Sequence, residues 1–234
     1  MPASSTAMIE VVAEALGDLR EEVVFLGGAT LPLLITDLGA SLPRATVDVD
    51  MAVRASTQSE YARFEKQLRG RGFSPDPDGP IGRYIIGSFK ADFTPSDPRI
   101  LGYTNRWYST ALASATWVSL PSGRQIRLAS APALIATKFE AFKGRGHGDY
   151  RASRDLEDIV ALVDGRAELV GEVRTSPDSI RDYLAKEFGS LLELPSIEEV
   201  ISSLVLPDST SQSRTTLIFS RFQAIADLGL SKSS

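Results

Sequence analysis

Apolar and polar positions change their period several times along this chain, and each change marks an element. Met8, Ile9, Val12, Ala15, Leu16 and Leu19 recur at helical spacing and predict a first amphipathic helix. Val23–Leu26 is a short unbroken apolar run, the pattern of a buried strand, and Gly27-Gly28 ends it. A helical pattern follows from Ala29 to about Leu38, with Gly39 as its C-cap. From Thr46 to Val53 the chain alternates: Val47, Val49, Met51 and Val53 share one face, Asp48 and Asp50 the other. Thr57-Gln58-Ser59-Glu60 reads as a capping box opening a helix to about Leu68, closed by Gly70 and Gly72. Pro75-Asp76-Pro77-Asp78-Gly79-Pro80 leaves room only for a loop. Arg83–Pro95 reads as one or two strands, with Phe89, Ala91 and Phe93 alternating with Lys90 and Asp92. Two strand-like runs between Tyr103 and Leu128 flank Pro121-Ser122-Gly123, a hairpin signal.

Beyond Leu128 the period is helical. Pro132 in a first turn and the run Leu134, Ile135, Phe139 and Phe142 define a helix with one apolar face. The next helix, from near Ser153, packs through Leu156, Ile159, Val160 and Val163. From Thr175 the rest is helical. Ser196-Ile197-Glu198-Glu199 reads as a second capping box, and Ile218, Phe219, Phe222, Ile225 and Ala226 mark a last helix after a break at Leu206-Pro207-Asp208-Ser209. The expected organisation is an α/β (α+β) core over residues 1–130 and a helical lobe over 131–234 that contributes to the site.

Candidate chemistry enters where polar residues sit on otherwise apolar elements. Asp48 and Asp50, side by side on one face of a core strand, repel each other; a divalent cation removes that cost, and hard oxygen ligands suit Mg²⁺. Backbone amides at Gly27-Gly28 and the helix after them suit a phosphate. A phosphate cradle and a metal-binding Asp-x-Asp are the minimum equipment for nucleotidyl transfer; the plain alternative is a glycine turn beside an acidic edge strand. Lys138 lies within the apolar stripe of its helix, so it either snorkels or meets an anion such as a triphosphate. On a helical wheel Asp155 sits about 100° from the middle of its stripe and Asp158 nearly opposite it, facing outward unless another element covers it. Lys143 to Arg151, with Arg154, forms the densest basic cluster, either a grip on an acceptor's phosphates through Arg145, Arg151 and Arg154 or a solvated loop; His147 reads as a loop residue.

The turn Gly27-Gly28-Ala29-Thr30 and the strand Arg44-Ala45-Thr46-Val47-Asp48-Val49-Asp50 together resemble the polymerase-beta-like nucleotidyltransferases, and within them the AbiEii-like abortive-infection toxins. Ala-Thr-Lys138 followed by Arg154-Asp155-Leu156-Glu157-Asp158-Ile159 resembles that branch again, so the likeness runs from Val23 to about Val163. The resemblance implies a mixed β-sheet flanked by helices and a Mg²⁺-dependent enzyme moving a nucleoside monophosphate from an NTP to an acceptor hydroxyl. It implies Asp48, Asp50 and Asp92 at two Mg²⁺ ions, with Asp97 the weaker candidate for the third carboxylate. Gly27, Gly28, Thr30 and Lys138 are then expected at the nucleotide, and Asp155 at the acceptor or sugar. It also implies the toxin of a bacterial toxin–antitoxin pair, an RNA acceptor (tRNA in related toxins) and a cognate antitoxin partner. A small-molecule transferase of the antibiotic-modifying type, or a non-catalytic nucleotide-binding module, remains open.

Composition narrows the field. Within 234 residues, 43% hydrophobic and 24% charged, there is ample material for a core. With no cysteine and the single His147, thiolate and multi-histidine metal sites are excluded. No apolar run reaches membrane-spanning length and the N-terminus lacks a basic signal-peptide region, so a cytoplasmic protein is expected. A net charge of −5 confines nucleic-acid binding to a local patch.

Overall fold

The apolar run Val23–Leu26 becomes strand β1, buried along its whole length, with neighbours on both sides. The computed structural model describes residues 4–41, 43–144, 150, 152–205 and 209–232. Among them, β1 is joined by β2 (Asp48–Val53), β3 (Ser74–Pro75), β4 (Arg83–Ile86), β5 (Phe89–Pro95), β6 (Thr116–Ser119) and β7 (Gln125–Leu128) in one seven-stranded sheet, ordered β3-β4-β5-β2-β1-β7-β6. Pairs β2–β5 and β1–β7 are parallel and the others antiparallel, so the sheet is mixed. The helices of this half are α1 (Ser5–Leu16), α2 (Leu31–Leu34), α3 (Gln58–Gly70), α4 (Pro98–Leu101) and α5 (Tyr108–Ser114). The expected α/β class, a mixed sheet with flanking helices, is present.

The chain divides into two compact units, residues 1–32 with 44–130 and residues 33–43 with 131–234. The first holds the sheet. Its strongest side-chain cluster surrounds Phe93 of β5: Phe64, Phe73 and Tyr84 stand edge-on to it with ring centroids at 5.5, 5.6 and 5.8 Å. The buried Tyr61 hydroxyl donates to the Phe93 carbonyl at 2.7 Å. Helix α3, which brings Tyr61 and Phe64, starts at the predicted capping box, with Thr57 and Glu60 bonded reciprocally.

The second unit contains α6 (Ala131–Gly144), α7 (Arg154–Gly165), α8 (Leu169–Thr175), α9 (Asp178–Leu192), α10 (Ile197–Leu204), α11 (Ser209–Ser213) and α12 (Thr215–Ala226). Phe139, Phe188 and Phe222 form its aromatic spine, with centroids 5.1 and 4.7 Å apart. Segment 33–43 is tied into this unit. The Thr36 and Asp37 amides both donate to the Gly165 carbonyl at 2.8 and 2.9 Å, and Arg166 donates to the Leu34 carbonyl at 2.6 Å. Arg214 bridges Asp37 and Asp164 at 2.7 and 2.6 Å.

Those bonds account for the main departure from the sequence pattern. The helix expected to reach Leu38 stops at Leu34, and its start is a 3-10 turn over Gly28–Thr30. Gly39 is no helix cap: its amide donates to the Asp37 carboxylate in a local turn. Val47 precedes β2 and is 72% exposed, so the inward face begins only at Val49. At Ser196 the expected capping box does not form, since the side chain makes no cap hydrogen bond.

The Phe93 cluster sets a first test. Phe93→Ala removes a fully buried ring that three other rings pack against, and should destabilise the first unit by about 3–5 kcal/mol in a urea titration. A loss under about 1 kcal/mol would show that the cluster closes around the gap.

Candidate active site

The site in the first unit follows from strand register. β2 and β5 run parallel with Asp50 beside Asp92 and Asp48 beside Lys90, while antiparallel β4 places Arg83 opposite Asp92. Side chains of neighbouring strands at matched positions share a face, about 4.8 Å apart. Arg83, Asp92 and Asp50 therefore form a row across three strands, and β1 adds Leu26 opposite Asp50. Val49, Met51, Ala91 and Phe93, on the other face, are buried.

The row continues into the glycine turn. A Cβ on Gly27 would lie 1.9 Å from Oδ2 of Asp50, and Gly27 has φ of 81°, a conformation open essentially to glycine alone. The absent side chain is what lets the Asp50 carboxylate sit against the turn. The turn is locked by Thr30, whose hydroxyl and amide both donate to the Gly27 carbonyl, at 2.8 and 3.2 Å. Thr30 is fully buried, and its side chain shapes the turn.

Sequence reasoning missed Arg83, the cation of this site. Its Nε and Nη2 donate to the two oxygens of Asp92 at 2.6 Å each, and Nη2 also donates to Asp48 Oδ2 at 2.8 Å. The hydrogen bonds to Asp92 above all, then the charges of Asp92, Asp48 and Asp50, outweigh burial and hold the guanidinium pKa above its ordinary value. Asp48 accepts a further bond from the Thr46 hydroxyl at 3.1 Å. The hairpin offered a signal: a tight turn after Ile86, paired with Phe89, counts back to Arg83 opposite Asp92. Tyr103 belongs to the same neighbourhood; burial, then the Asp92 charge, pushes its hydroxyl pKa up. Asp97 caps α4, accepting from the Arg99 amide and side chain.

A guanidinium bridges Asp48 and Asp92, two of the three carboxylates. Among the described residues no three acidic or imidazole side chains are arranged to hold a metal ion. The donor set nonetheless has the chemistry of a divalent-cation site: hard oxygens of Asp48, Asp50 and Asp92, with a cation already standing on two of them.

In the second unit Lys138 meets anions of the protein itself. Its Nζ pairs with Asp158 Oδ2 at 2.6 Å and with Asp155 Oδ1 at 3.3 Å, and the three side chains are only 12%, 1% and 4% exposed. Asp158, expected to face outward unless another element covered it, is covered: Lys138 of α6 lies on it, which the wheel of α7 alone could not reveal. Ser153 caps α7, its side chain accepting from the Leu156 amide. Arg154 is exposed at the start of that helix, whereas Arg145, His147 and Arg151 lie outside the described residues. Trp107 is buried, and Trp117 is half-exposed on the edge strand β6.

No protein-family model matches the chain, and no curated protein matches it. A solved structure that it resembles is that of an antigenic nucleotidyltransferase-like protein from Paracoccidioides brasiliensis, at 17% identity, over 86% of this chain and 93% of that one, with a TM-score of 0.48. Likeness at this level assigns no role to any residue here. No helix among the described residues is long and apolar enough to cross a membrane.

Two outcomes follow from this geometry. Gly27→Ala should destabilise the chain by about 1–3 kcal/mol through backbone strain alone, and should also push Asp50 out of place; wild-type melting would show that the turn relaxes freely. Lys138→Met leaves Asp155 and Asp158 buried without this cation and should cost about 3–5 kcal/mol, read as a fall in unfolding midpoint. An unchanged or raised midpoint would mean that the triad contributes nothing to stability.

Proposed function

We propose that this chain is a nucleotidyltransferase that moves a nucleoside monophosphate from an NTP to an acceptor hydroxyl. The observation that carries this reading is the contact between Asp50 and Gly27, which joins an amide-rich turn to the Asp-x-Asp strand in one small volume. Amides of the Gly27-Gly28 turn would bind the triphosphate. Asp48 and Asp50, with Asp92, would hold Mg²⁺, two ions in the reading adopted here. Bound there, the metal supplies charge neutralisation on the phosphates and acidifies the attacking hydroxyl. The hydroxyl oxygen forms a bond to the α-phosphorus, the bond from that phosphorus to the β-bridging oxygen breaks, and pyrophosphate leaves with that electron pair. Asp92, at the edge of the row toward β4, takes the hydroxyl proton in this scheme. In Lys138 and Asp155 we see an ion pair that shapes the second unit and meets substrate only by breaking.

The acceptor is RNA in this proposal, and the biological role is that of an AbiEii-like toxin held in check by an antitoxin. Support comes from the wording of Gly27–Thr30, Arg44–Asp50, Lys138 and Arg154–Ile159. A second reading, a nucleotide-binding module without turnover, is favoured by Arg83, which already satisfies two of the three carboxylates.

Incubation with each labelled NTP, Mg²⁺ and total RNA separates them. The transferase labels RNA, and Asp48→Asn or Asp50→Asn abolishes labelling, a loss of at least about a hundredfold where charge stabilisation is removed. Nucleotide binding with no label on any acceptor, small molecules included, leaves the binding module.

A further inference from the structure

Arg83 stands on the oxygens that a divalent ion needs. Its fork takes both oxygens of Asp92 and one of Asp48, and it reaches them from β4, a strand that carries none of the carboxylates. A guanidinium and a divalent cation cannot both occupy the inner faces of the same carboxylates, because like charges at contact repel and each carboxylate has few lone pairs to share. The Arg83 side chain is 19% exposed, so it is not sealed in the core.

We propose that Arg83 is an exchangeable counter-cation. It holds Asp48 and Asp92 together while no ion is bound, yields them to the ion that arrives with a triphosphate, and turns its fork onto the phosphates. The fork that matches a carboxylate with two parallel N–H bonds matches a phosphate the same way. Its backbone stays fixed, since Arg83 is paired to β5 and flanked by Gly82, whose φ of 89° sets the entry to the strand. The exchange makes the site bind a free ion poorly and an ion–triphosphate pair well. This rests on the metal-dependent reading above; a permanent structural ion pair is the competing account.

Isothermal titration with Mn²⁺ alone, and with inorganic tripolyphosphate at saturating Mn²⁺, tests the exchange without any assumption about the base. Arg83→Gln should bind Mn²⁺ alone about tenfold tighter than the wild type, because the competitor is gone. The same variant should bind tripolyphosphate about tenfold more weakly, because its charge-assisted hydrogen bonds are gone. The two changes have opposite signs, and the absence of either overturns the exchange. Mn²⁺ binding unchanged by the substitution overturns it while leaving the metal site standing. No Mn²⁺ binding by either protein removes the exchange and the metal-dependent reading together. Should Arg83→Gln fail a thermal-unfolding check, Arg83→Lys keeps a cation without the fork. It should still weaken tripolyphosphate binding, and wild-type affinity in that variant sinks the proposal.

Discussion

Three carboxylates on one face of adjacent strands cannot stand together without a cation, and the first unit is built around that constraint. Asp48, Asp50 and Asp92 are brought together by the parallel register of β2 and β5, and that register is fixed from the opposite face. Val49, Met51, Ala91 and Phe93 must point into the core, so a slip of one residue would bury the acids and expose the apolar set. The repulsion is thus imposed by packing free energy, and Arg83 is placed by the same logic: pairing of β4 with β5 puts it beside Asp92.

This constraint explains what could be read from the chain and what could not. The alternation in β2, the capping box at Thr57 and the polar-side position of Asp92 are local facts, carried by spacing within one element. The charge conflict at Asp48 and Asp50 was legible too, but its resolution by Arg83 needed the register between two strands. Which alternative held for Asp158 was hidden for a related reason: a wheel shows the faces of α7, not the helix that covers them. The shortened α2 is the least local case, since the bonds that end its pattern come from Gly165 and Arg166, more than a hundred residues on.

Arg83 and Lys138 each join two carboxylates, and the two cations differ in kind. Arg83 and its partners are all about one-fifth exposed, close enough to water that a change of partner is cheap in desolvation. Its planar fork can be offered whole to another anion. Lys138 is a point charge inside a nearly closed pocket, and its partners Asp155 and Asp158 are 4% and 1% exposed. Drawing that ammonium away would leave two buried carboxylates without it, a larger cost than an incoming phosphate contact recovers.

That difference bears on the exchange proposed for Arg83. A group that must alternate between its own acids and a substrate needs both states within a few kcal/mol of each other. Partial exposure, a bidentate fork and a backbone held by strand pairing would give Arg83 such a balance. Lys138, whose sequence setting on an apolar stripe looks the more catalytic of the two, is tied to partners that are almost fully buried. An apolar stripe signals only that a charge there needs a partner; the partner can be the next helix, and here it is.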